Sequence, residues 1–118
     1  MQIKECYEMM DANYQDVLSR LVSDKLIYKF NKKFALADDY EQLVRALEVE
    51  DYELAFRMSH NLKGNSLNLG YSGLFAVSNE ICEALRGGKP TVDVMPMLAK
   101  VTEKYHQVIA GIEQMDEV

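Results

Sequence analysis

Apolar residues recur every three or four positions along nearly the whole chain, and no stretch alternates in the two-residue rhythm of a half-buried strand. Ile3, Cys6, Tyr7 and Met10 mark a first helix ending near Asp11–Asn13. Tyr14, Val17, Leu18 and Leu21 mark a short second one. Ser23 or Asp24 can cap a long third helix with the face Leu26/Ile27, Phe30, Phe34, Ala37, Tyr40, Leu43/Val44 and Leu47. Asp51 caps a fourth, which ends near Gly70. Ser72 caps a fifth, with Leu74, Phe75, Ser78, Ile81, Cys82 and Leu85 turned inward, and Gly87-Gly88 stop it in a left-handed conformation. Leu98, Val101, Tyr105, Val108, Ile109 and Ile112 form the inner face of the last. Short connections make neighbouring helices antiparallel. The pattern predicts an all-α protein, an up-and-down antiparallel four-helix bundle with additional short N-terminal helices.

With 118 residues the chain is expected to form one domain, an N-terminal helical segment over about 1–22 and the bundle over about 23–115. That length leaves no room for a kinase with its own nucleotide site. The net charge of −6 repels phosphate backbones, so Lys29-Phe30-Asn31-Lys32-Lys33 reads as a solvated helix face and no nucleic-acid partner is expected. Cys6 and Cys82 lack metal-ligand spacing and read as free thiols in a reducing compartment. Lys4, Glu5 and Glu8 stand where a signal peptide would need an apolar stretch, and no apolar run approaches the ~20 residues of a membrane span. A cytoplasmic location without membrane contact is expected. The seven methionines read as core filler.

One segment departs from this ordinary picture: Ser59-His60-Asn61-Leu62-Lys63-Gly64-Asn65-Ser66-Leu67-Asn68-Leu69-Gly70. At ~100° per residue, with His60 at zero, Lys63 falls near −60°, Gly64 near +40° and Leu67 near −20°. Ala55, Met58, Leu62, Ser66 and Leu69 fall on the opposite side. His60 therefore lies on the wet face, beside a cation and a residue without a side chain. Imidazole at neutral pH keeps one ring nitrogen free as a nucleophile, which suits a phosphoryl acceptor. Lys63 can neutralise phosphoryl oxygens as a mobile point charge. Glycine in mid-helix costs ~1 kcal/mol against alanine, so Gly64 calls for a reason, and close approach of a partner to the ring supplies one.

The segment resembles the signature of the histidine phosphotransfer (HPt) domain, His-x-Leu-Lys-Gly-x-Ser-x-x-Leu-Gly. His60, Leu62, Lys63, Gly64, Ser66, Leu69 and Gly70 meet every specified position. The likeness extends over almost the whole chain and is greatest to the free-standing HPt proteins of bacteria. It implies a phosphocarrier of a two-component phosphorelay. His60 would accept a phosphoryl group from the phospho-aspartyl receiver domain of a response regulator or hybrid kinase and pass it to another receiver. Lys63 would stabilise the charge and Gly64 would admit the receiver. The resemblance implies no cofactor, no metal, no autokinase activity and a monomer. Many members carry a Gln near the position of Cys82 that faces the phosphohistidine. None occurs here, and Arg86, one turn on, stands where it can supply part of that role.

Ser59, Asn65 and Ser66 read as packing residues, and His106, without a lysine-glycine companion, as an ordinary surface histidine. Phe56 and Leu67 fall within about 40° of His60 and read as part of a docking patch, with Arg57 and Arg86 beside it. Three rival functions remain at this stage. An enzyme using His60 as base or metal ligand would need companions, and only Glu53, two turns earlier, shares its face. A helical adaptor or scaffold would bind receivers without phosphotransfer. The phosphoacceptor module of a histidine kinase would carry a His-Glu and a proline-bearing turn, both absent.

Overall fold

Short polar side chains start three of the helices. Asn13 Oδ1 accepts the Asp16 N–H at 2.9 Å, Ser23 Oγ that of Leu26 at 3.3 Å, and Asp51 Oδ1 that of Leu54 at 3.1 Å. A computed structural model describes residues 1–118 as seven helices without strands: α1 (Ile3–Met9), α2 (Tyr14–Leu21), α3 (Asp24–Leu36), α4 (Asp39–Glu48), α5 (Tyr52–Leu69), α6 (Ser72–Leu85) and α7 (Met95–Glu113). No helix is long and apolar enough to cross a membrane.

The expected long third helix is two helices. Ala37, with φ −75° and ψ 151°, breaks it, and Asp38 opens α4 with its carboxylate accepting from the Gln42 amide at 2.8 Å. The apolar positions require the break. Phe34 and Leu43 are both buried, yet on one straight helix they would point roughly 180° apart. The start of α6 also differs from the expected one. Ser72 is its first helical residue rather than its cap, and Tyr71 precedes it without capping. The chain before α2 satisfies this helix end instead, because the Gly73 N–H donates to Asp11 O at 2.9 Å. At the other end Arg86 is extended, and Gly87 and Gly88, at φ 88° and 111°, make the left-handed turn.

The centre of the bundle is the antiparallel pair α5–α6, flanked by α4 against α5 and α7 against α6. Only Gly70 and Tyr71 join α5 to α6. Gly70 is at φ 75°, and a Cβ there would lie 2.7 Å from Asn13 O, so both backbone and space demand glycine. Helices α1 and α2 close this end. Fully buried Tyr7 donates to Leu69 O at 2.8 Å, buried Asn31 of α3 donates to the Tyr7 hydroxyl at 3.0 Å, and Tyr71 donates to Asn31 Oδ1. Arg20 of α2 reaches the last carbonyls of α5, those of Leu67 at 2.7 Å and Asn68 at 3.1 Å. The connection from α6 to α7 crosses the far end of the α5–α6 pair, and His60 lies midway along α5.

Candidate functional site

Helix α5 divides as its sequence dictates. Ala55, Met58, Leu62, Ser66 and Leu69 are buried, as is Ser59, whose hydroxyl donates to Phe56 O at 2.9 Å. His60 lies exposed on the other face, with Lys63 and Gly64 half-exposed beside it. A Cβ at Gly64 would meet no atom within 4 Å, so the backbone there borders open space.

Antiparallel pairing with α6 brings in residues distant in sequence. The end of α6 carries Arg86 across the seam, its guanidinium 5.2 Å from the centroid of the Phe56 ring. That ring in turn lies 6.0 Å from the His60 imidazole, centroid to centroid. Phe56, Arg57, Met58, His60, Asn61 and Arg86 line one shallow depression of about 370 Å³. Arg86 binds Glu83 through both carboxylate oxygens, at 2.9 and 3.2 Å, and Lys63 Nζ reaches the same carboxylate at 3.8 Å. The hydrogen bonds from Arg86, and the charges of Arg86 and Lys63, hold the Glu83 carboxyl below its ordinary range.

The structure thus gathers His60, Phe56, Arg57 and Arg86 in one depression and joins Lys63 to them through Glu83. It places Leu67 apart, 55 % exposed and about two turns along α5. Phe56 differs from its expected free exposure: the ring is half-buried and packs on the core beneath the Arg86 guanidinium. Cys82 is fully buried, so that position of α6 points into the core rather than at the imidazole. His106 is exposed, with its ring against Tyr40 and Tyr105. No group of three or more His, Cys, Asp or Glu side chains is arranged to hold a metal.

Sequence reading missed Glu83 and Asn61. Asn61 was legible as the neighbour of His60. Glu83 shows locally only as the i−3 partner of Arg86, and its approach to Lys63 depends on the register of two helices.

An exposed imidazole with open backbone on one side and three cations on its face, Lys63 and Arg86 engaged by one carboxylate and Arg57 beside them, can receive an electrophilic anion from a large partner. Comparison with curated proteins gives no match, and comparison with solved structures gives none either. Residues 35–117 match the Hpt domain family. That span holds α4 to α7 and with them the whole depression. The chain therefore belongs to the Hpt domain family, whose members carry phosphoryl groups on histidine in phosphorelays and interact with receiver domains.

Proposed function

We propose that His60 is the phosphoacceptor, taking a phosphoryl group from the aspartyl phosphate of one receiver domain and giving it to the aspartate of another. The observation that carries this reading is the open surface around His60: an exposed imidazole on α5, one turn before a glycine with nothing within 4 Å of its Cβ position. In the accepting step the free ring nitrogen attacks phosphorus. The P–N bond forms as the P–O bond to the aspartyl oxygen breaks, and the carboxylate leaves with the electron pair. The other ring nitrogen keeps its proton, so the phosphorylated ring is cationic until that proton is lost to solvent. Such transfer relies on positioning and charge neutralisation. Lys63 provides a cation one turn from His60, and Arg86 a second from α6. Gly64 leaves room for the receiver's loops, while Phe56, Arg57 and Leu67 contact its surface.

The chain carries no nucleotide-binding loop of its own, so the receiver rather than ATP is the phosphoryl donor. We further propose a cytoplasmic monomer folded as a single unit over 1–118. One continuous core supports the last point, since Ile3, Cys6, Tyr7, Met10 and Val17 pack with residues of α4 to α7. Incubation with a panel of phosphorylated receiver domains, and separately with ATP alone, tests the function. Label should pass to this chain from at least one receiver and never from ATP alone. Binding to receivers without any transfer of label would make the protein an adaptor and refute the proposal.

A further inference from the structure

Two of the cations on the histidine face are not free. Lys63, leaving α5 on the histidine face, and Arg86, at the end of α6, both engage Glu83. The two contacts differ in kind. Arg86 grips both carboxylate oxygens, whereas Lys63 stands 3.8 Å off, at the loose limit of an ion pair. All three side chains keep solvent access, with 26 % of the Lys63, 52 % of the Glu83 and 55 % of the Arg86 side chain exposed. Each can therefore change partner without opening the core. Glu83 is thus one anion shared by two cations that a dianionic group on His60 would attract.

We propose that Glu83 is a positioning residue that sets how tightly His60 holds its phosphoryl group, by holding Lys63 and Arg86 in the unphosphorylated protein and competing for them afterwards. The inference rests on His60 being the acceptor. A phosphoryl group brings close to two negative charges and three acceptor oxygens, and guanidinium and ammonium groups bind such oxygens as well as they bind carboxylates. Each contact that the phosphoryl gains from Lys63 or Arg86 is one that Glu83 loses. The carboxylate thus offsets part of the stabilisation the cations would give, and the phosphorylated form lies higher in energy than two unengaged cations would make it. For a carrier this matters, because a group held too firmly is not passed on. Glu83 sets the balance toward donation.

The test is the equilibrium between this chain and one phosphorylated receiver domain, measured for wild type and Glu83→Gln as the ratio of phosphorylated to unphosphorylated carrier. Because exposed ion pairs are weak, the variant should raise that ratio modestly, by about threefold. The gain should shrink when Lys63→Met and Arg86→Met are added. It should also shrink at 1 M salt, where screening acts over ~3 Å. An unchanged or lower ratio for Glu83→Gln, with wild type labelled on His60, overturns the role of Glu83 alone. A gain that persists undiminished without the two cations overturns it as well, since Glu83 would then act by direct repulsion. Wild type that takes no label, or label that survives in His60→Gln, overturns the acceptor assignment and this inference with it.

Discussion

Outside its own helical turn, no atom lies within 4 Å of the Cβ position at mid-helix Gly64, so no packed neighbour requires glycine there. Replacing it should help the helix and harm only what comes from outside. Gly64→Gln is expected to raise stability by roughly 0.5–1 kcal/mol, and to accept phosphate from phosphoramidate but poorly from a receiver. Undiminished transfer from the receiver would remove the steric role. Phe56 and Leu67 part company at this scale. Phe56 is half-buried against the core, so Phe56→Ala should cost about 1–3 kcal/mol in thermal or urea unfolding as well as weaken receiver binding. Leu67 is 55 % exposed, so Leu67→Ala should melt within about 0.5 kcal/mol of wild type and weaken receiver binding several-fold. Binding unchanged by Leu67→Ala would exclude it from the docking surface. The placement of His60, Lys63, Gly64 and Leu67 on one face was legible from helical periodicity alone. The depth of Phe56 was not, because the Arg86 guanidinium that covers it comes from another helix.

Among the elements, α5 was the most legible: Asp51 at its start, Gly70 in the left-handed conformation at its end, and a clean division of faces between them. The boundary between α3 and α4 shows how a readable signal can be passed over. Steps of three residues from Phe34 through Ala37 and Tyr40 to Leu43 lose about 60° each, and a helix cannot follow that drift. The start of α6 was hidden for a different reason, since its first amide groups are satisfied partly by the chain at Asp11. The same end of the bundle depends on Asn31, which links α1, α3 and the α5–α6 turn through Tyr7, Tyr71 and the Ile27 carbonyl. Asn31→Leu would leave the Tyr71 hydroxyl buried without its acceptor and should cost about 1–3 kcal/mol. Tyr71→Phe added to it should recover part of the loss. No loss in the single variant, by chemical denaturation, would show that the network contributes nothing net.

For the whole molecule, the family match begins at residue 35 while the core begins at Ile3. Helices α1 and α2 cover the closed end, and Tyr7 carries much of that contact. Burial pushes the hydroxyls of Tyr7 and Tyr71 well above the ordinary tyrosine value, and burial together with nearby acidic groups raises Tyr105 to about 12. Unfolded tyrosines ionise near ~10. Above that pH the unfolded chain binds fewer protons than the native one, so stability falls as pH rises. Unfolding free energy should therefore decline steadily between pH 10 and 12, and a flat profile across that window would contradict the burial of these hydroxyls. The closed end and the histidine face are separate regions of one fold, and function is assigned to the second. Phosphorylation by a receiver, followed by the chemistry of the label, tests that assignment most directly. Wild type should gain acid-labile, base-stable label, and His60→Gln, folded as judged by its melting curve, should gain none. Label that persists in His60→Gln or moves to His106 would contradict it.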